Sequence, residues 1–221
     1  MDATLRARLA EITGDKSVEG DSVSPSTAEQ VEQVCLACAE AGARIAVSSA
    51  PAKGATAPAG AVLVSLSGID PVDVNVDRLV LRAGAGATMA SVREAAEKVG
   101  AAITGAPQGP AGGDARVGDV VARGELPRRA LTGIEAVLPG GGRVSAGGAV
   151  LKDVAGYDLI GALLGSRGRL ALVTAATFRL QPKGVAQAAD LTGDPVGVPR
   201  GVLGDALENA FDPQRLLAAR S

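Results

Sequence analysis

Only three of the 221 residues are aromatic, Tyr157, Phe178 and Phe211, although 47% are apolar. A core without large rings has to be built from Val, Leu, Ile and Ala. Side chains that small fill space only where helices and sheets lie close together. A chain of this length can bury roughly 70% of the surface it exposes when unfolded. One domain, or one domain of two small lobes, therefore needs no staple. The 30 glycines point the same way, since they make tight turns and let backbone approach backbone or ligand closely.

Several function classes are excluded by what is missing. The net charge is −2 with both signs interspersed, so neither a nucleic-acid surface nor a polybasic membrane anchor is expected. Residues 1–14 mix charges without a long apolar run, unlike a signal peptide. No stretch is apolar for long enough to span a bilayer. The expectation is a cytoplasmic protein with no integral membrane segment. The chain has no histidine, which removes a His general base, a His metal ligand and any Ser-His-Asp or Cys-His nucleophile from it. Cys35 and Cys38 fall on one apolar helix face with Val31 and Val34. They read as small buried hydrophobes, because a zinc site would need two more ligands at suitable spacing.

Alternating patterns organise the chain. Ser26-Thr27-Ala28-Glu29 predicts a capping box opening a helix that ends near Gly42. Strands are predicted at 44–47 and 61–66, separated by a Pro/Gly/Ala-rich loop over 48–60. Val72, Val74 and Val76 alternate with Asp73, Asn75 and Asp77, a half-buried strand with 79–82 as its partner. Thr88 can cap a second helix, with Met89, Val92, Ala96 and Val99 on one face and Gly100 at its end. Residues 101–118 read as a long loop. A hairpin is predicted from 131–138 and 143–146, then a helix from Asp153 to about Leu164, and a strand over 170–180. Residues 194–200 have linker composition. A short helix is expected over 202–210, and 211–221 has no strong pattern. Strands, hairpins and helices mixed in this way predict an α+β or mixed α/β fold.

Two stretches stand out chemically. Leu79-Val80-Leu81-Arg82-Ala83-Gly84-Ala85-Gly86-Ala87-Thr88-Met89 runs strand, glycines, helix, the setting in which a helix start can hold a pyrophosphate. Met89 occupies the third glycine position, however, and no acidic residue follows at the spacing a dinucleotide site needs. Glycines turning a strand into a helix is the simpler reading. The other stretch contains Gly147-Gly148-Ala149-Val150-Leu151-Lys152-Asp153-Val154-Ala155-Gly156-Tyr157-Asp158-Leu159, then Gly165-Ser166-Arg167-Gly168-Arg169-Leu170-Ala171-Leu172-Val173-Thr174. Taken alone it is a helix between glycine turns followed by a buried strand.

That second stretch resembles the pattern GG-x-VVKNVAGYDL … G-S-x-G-T-L-G-V-I-T of FAD-binding PCMH-type (vanillyl-alcohol oxidase-like) domains, and among them the glycolate oxidase FAD-binding subunit. Residues 80–92 resemble the family's V-x-AG-V-T-L-x-x-L segment. Phe211-Asp212-Pro213 resembles the start of its closing FDP-x-G-I-L-NPG tail. The resemblance covers about 15–183 and a few C-terminal residues. It implies a two-lobed α+β FAD-binding domain over 15–183. Residues 184–221 would then be a linker and short helix left from a substrate domain.

The resemblance further implies FAD as cofactor, held by three backbone-lined loops. The first corresponds to Ser49, Ala50, Lys53 and Gly54, where the family has a glycine-rich pyrophosphate loop and this chain has Pro51, which lacks an N–H. The second corresponds to Arg116-Val117-Gly118-Asp119, with Asp119 where the family has glycine, and Pro107 is counted with the cofactor-binding residues. Gly168, Leu172 and Val173 form the third, with Arg169 and Ala171 in place of Thr and Gly. Lys152 and Tyr157, from the signature itself, complete the set. The implied function is the FAD-binding subunit of a flavin-dependent oxidoreductase acting on a small 2-hydroxy acid such as glycolate, working with another oxidoreductase subunit. The altered loops leave a second reading open, a non-catalytic partner subunit of the same fold that does not bind FAD. No residue is singled out as catalytic.

Overall fold

A computed structural model describes residues 1–52, 57–104, 114–147, 158–183 and 202–218. The fold is α+β, with two sheets and two principal hydrophobic clusters.

The first lobe begins with helix α1, Ala3–Thr13, capped by Asp2, whose carboxylate accepts the Leu5 N–H at 2.7 Å. Strands β1 (Val18–Glu19) and β2 (Ser22–Val23) form a small antiparallel pair. Helix α2, Ala28–Glu40, follows. Its cap is Thr27, one residue later than the predicted box, and Gln30 supplies the reciprocal bond by accepting the Ser26 N–H at 2.8 Å. Strands β3 (Arg44–Ser48) and β4 (Ala61–Ser65) are parallel, and β2 adds parallel to β4, giving the order β1-β2-β4-β3. Ile45, Val62 and Val64 face α1 and α2, while Ala46, Ala61 and Leu63 pack on the opposite side. Burial on both faces explains why β4 is apolar without alternation.

The second lobe is a six-stranded antiparallel sheet. Strands β5 (Val72–Asn75), β6 (Val80–Gly84), β8 (Leu131–Val137), β9 (Arg143–Gly147) and β10 (Leu172–Pro182) run in the order β5-β6-β10-β8-β9. A three-residue strand, β7 (Ala101–Ile103), pairs with the far end of β10. Helices α3 (Met89–Lys98), α4 (Val117–Arg123) and α5 (Leu159–Leu163) cover one face. Thr88 caps α3 as the sequence suggests, accepting the Ser91 N–H at 3.0 Å.

Three expectations change here. The long loop over 101–118 contains β7 and the start of α4. Each is too short to show a period, and each is fixed by partners far away in sequence. Helix α5 starts at Asp158, whose carboxylate accepts the Gly161 N–H at 2.9 Å; the cap proposed at Asp153 lies outside the described residues. Finally, the tail after helix α6 (Val202–Phe211) is ordered by hydrogen bonds. Buried Asp212 accepts the N–H groups of Leu216 and Leu217 at 2.9 and 2.8 Å, and Leu217 makes a parallel bridge to Ile45 of β3.

Candidate functional site

The lobes meet along Gly84-Ala85-Gly86. The Gly84 N–H donates to the Pro71 carbonyl at 2.9 Å, Ala85 to Thr174 at 2.9 Å and Gly86 to Ile69 at 2.8 Å. A Cβ on Gly84 would stand 2.2 Å from the Ile69 oxygen, and one on Gly86 2.5 Å from the Ser67 oxygen. Neither glycine has positive φ. These glycines therefore do more than turn a strand into a helix: they allow two backbones to touch. Ala85, Val137 and Leu172, all at one end of the larger sheet, pack into the core of the first lobe.

At this seam two of the three loops assigned to the cofactor come together. A Cβ on Gly118 would lie 2.3 Å from the Ser49 Oγ and 3.0 Å from the Ala85 Cβ, so only glycine fits beside buried Ser49. The chain around Ser49 is pinned at its entry. The Ala50 N–H donates to the Ser48 Oγ at 3.2 Å, and the Ala50 carbonyl accepts the Ser65 hydroxyl at 2.8 Å. On the other side, the Val117 and Gly118 N–H groups donate to the carbonyls of Ala87 and Ala85, each at 2.9 Å, and the Arg116 guanidinium donates to the Gly86 carbonyl at 2.5 Å. The Gly118 N–H is thus already used, and Ser49 and Ala85 fill the space beside its Cα.

The third loop is tied to the second. Gly165 and Arg167 donate their N–H groups to the Val121 and Ala122 carbonyls of α4, at 2.9 and 2.7 Å. Gly168 has φ 71° and open space where a Cβ would sit. Leu172 and Val173 start β10 with side chains on opposite faces, one in the core of each lobe. Lys53, Gly54, Pro107, Lys152 and Tyr157 lie outside the described residues.

Two buried hydroxyls stand outside the residues assigned to the cofactor, Ser166 beside the third loop and Thr104 after β7 at the far end of β10. The Thr104 and Ser166 hydroxyls are buried and have no hydrogen-bond partner among the described residues. A buried hydroxyl normally finds a partner. Thr104 immediately precedes the segment carrying Pro107, and Ser166 lies within Gly165-Ser166-Arg167-Gly168. Only the serine of the G-S-x-G motif carried a sequence signal.

Arg179 Nε and Glu208 Oε1 are also buried without a hydrogen-bond partner among the described residues, although Glu208 forms an ion pair with Arg169. Arg128 grips Asp158 at 2.8–3.0 Å and holds its carboxyl below the usual aspartate range, helped by the Gly161 N–H. Cys35 and Cys38 are buried, and burial pushes both thiols upward, Cys38 to about 12. They behave as core residues. Among the described residues no cluster of His, Cys, Asp or Glu could hold a metal, and no helix is long and apolar enough to cross a membrane.

A separate cleft of about 710 Å³ lies on the face of the larger sheet that α3, α4 and α5 leave open. Its walls include Ser26 and Thr27 at the start of α2, Thr174, Thr177, and Arg82 paired in bidentate fashion with Glu135 at 2.6 and 2.7 Å. Its size suits a small ligand. None of the described residues assigned to the cofactor lines it. We place the candidate site at the seam instead, where separate loops converge.

No family model matches the chain. D-lactate dehydrogenase of Archaeoglobus fulgidus is 32% identical over 139 residues, 59% of this chain and 31% of that protein. An uncharacterised FAD-linked oxidoreductase of Mycobacterium tuberculosis is 29% identical over 183 residues, 78% of this chain and 40% of that protein. Glycolate oxidase subunit GlcD of Bacillus subtilis is 47% identical over 53 residues, 24% of this chain and 11% of that subunit. The chain thus spans less than half the length of these relatives. Among solved structures, substrate-bound p-cresol methylhydroxylase superposes with a TM-score of 0.65 at 18% identity, covering 81% of this chain and 43% of that one. A variant of cholesterol oxidase from Brevibacterium sterolicum gives 0.57 at 16% identity, covering 73% and 34%.

Proposed function

We propose that this chain, which belongs to the FAD-binding PCMH-type family, holds FAD between its two lobes as the flavin-binding part of an oxidoreductase. Residues 15–183 form the FAD-binding domain in this reading, and 184–221 are what remains of a substrate domain. The observation that carries it is the meeting of Ser49 and Gly118 at the seam, with no room for a Cβ between them. The unpartnered hydroxyl of Ser166, beside the third loop, fits a polar ligand there. Ser49, Ala50, Lys53 and Gly54 would line its phosphates, with Pro107, Val117 and Gly118 opposite. Gly168, Leu172 and Val173 would meet the adenosine side through backbone, and Lys152 and Tyr157 would complete the site.

When bound, FAD supplies the acceptor for the two electrons released as a 2-hydroxy acid becomes a 2-oxo acid. The names of the relatives, a D-lactate dehydrogenase and a glycolate oxidase subunit, support a small 2-hydroxy acid such as glycolate as substrate. The chain itself contributes position and exclusion of water. It has no histidine to take a proton, and another oxidoreductase subunit completes the site in this reading. We place this assembly in the cytoplasm.

The test is the visible spectrum of the purified protein before and after excess FAD and gel filtration. Flavin bands that co-elute with the protein are the expected result. A folded, colourless protein that takes up no FAD would overturn the reading and leave the non-catalytic partner subunit in its place.

A further inference from the structure

The C-terminal segment touches both lobes. On α6, Leu207 and Phe211 pack against the second-lobe core, and Glu208 forms an ion pair with Arg169 of the third loop. Five residues later the chain is part of the first lobe. The Ile45 N–H donates to the Leu216 carbonyl at 2.5 Å and the Ala218 N–H to the Ile45 carbonyl at 2.6 Å, extending the sheet beyond β3. Leu217 packs into the first-lobe core and Ala218 onto the opposite face of its sheet. Between the two attachments, the Asp212 carboxylate is 5% exposed and accepts both the Leu216 and Leu217 N–H groups. That local turn aims the chain from one lobe to the other.

We propose that residues 202–218 act as a clasp that spans the lobes and, through Arg169, holds the third loop in place, so that ligand release from the seam requires the clasp to open. Arg169 is then a positioning residue. It stands where the family pattern has threonine, and Glu208 is the partner that explains the exchange. The retention part of the proposal rests on the FAD reading above; the mechanical part does not.

Hydrogen exchange on the full-length protein tests the mechanical part. The Ile45 amide, which the tail protects, is the reporter, and Val64, on the neighbouring strand β4, is the control. Asp212→Ala is expected to speed Ile45 exchange by about ten-fold or more, the loss of hydrogen bonds to a charged acceptor, with Val64 unchanged. Arg169→Glu, a change in the other lobe, is expected to speed Ile45 exchange too, and the charge swap Arg169→Glu with Glu208→Arg is expected to restore it. Unchanged Ile45 exchange in Arg169→Glu would overturn the clasp. If wild type takes up FAD, its dissociation is expected to quicken several-fold in the same two single variants and recover in the swap. Unaltered dissociation with Ile45 freed would overturn retention. A wild type that takes up no FAD would sink the cofactor reading and its retention corollary together, and the exchange data would then decide the clasp alone.

Discussion

The two sheets solve the same packing problem in opposite ways. In the first lobe, β3 and β4 are parallel and buried on both faces, so their side chains are apolar at successive positions. In the second lobe, the antiparallel sheet buries one face under three helices and leaves Arg82, Glu135 and Thr177 on the other. The smaller sheet has little independence, because part of its core comes from Ala85, Val137 and Leu172 of the larger one. Size and sheet type alone would mark these as two units. The packing at the seam predicts that they unfold as one cooperative structure.

The strongest way to break this comparison is to damage the larger lobe and watch the smaller. Phe178 is fully buried beneath the helices, and Phe178→Ala is expected to cost about 3–5 kcal/mol. Urea unfolding followed by near-ultraviolet and far-ultraviolet signals, or by exchange at Val64, should show one shifted transition. Two separated transitions would mean that the lobes are independent. A smaller effect tests the seam itself. Gly84→Ala puts a methyl 2.2 Å from the Ile69 carbonyl oxygen and is expected to cost about 1–3 kcal/mol as overpacking. Gly140→Ala, where the Cβ meets nothing within 4 Å, should stay within about 0.5 kcal/mol of wild type. Thermal melts of the pair measure the difference.

The smallest expected effect belongs to the surface of the second lobe. Arg128 holds the Asp158 carboxyl below its usual range. The folded state therefore gains from this charge at neutral pH and loses the gain as pH falls through and below the ordinary aspartate range. Asp158→Asn keeps a good helix cap and removes the charge. The variant should be less stable than wild type at pH 7, by under about 1 kcal/mol for so exposed a pair. That gap should shrink on acidification, and a gap constant with pH would show that the ion pair contributes nothing.

Much of this architecture was legible from local chemistry. Thr88 and Gly100 bracket α3, Val72 and Val74 alternate with Asp73 and Asn75, and the hairpin of β8 and β9 closes around Pro139-Gly140-Gly141-Gly142. What escaped depends on distant partners. The strand β7 exists because Ile103 pairs with Leu180, and α4 starts where the Val117 and Gly118 N–H groups find carbonyls at Ala87 and Ala85. The tail looked patternless because its organising group is one buried carboxylate, Asp212, bonding amides four and five residues ahead. For the candidate site, the sequence could align Ser49 and Gly118 with separate loops. Their contact, and the unpartnered hydroxyl of Ser166, are properties of the folded backbone.

The strand order carries a consequence for how the protein is made. Strand β10 sits at the centre of the larger sheet, between β6 and β8, yet it is the last of its strands to leave the ribosome. The hairpins β5–β6 and β8–β9 can each close from neighbouring sequence, but they share no backbone pairing, and β10 joins them. During synthesis both present a bare edge, a template for pairing with other chains. Such non-local closure is slow. A nascent chain halted before residue 172 should therefore be prone to aggregate and to need a chaperone, and one extended past 182 should be released as a folded domain.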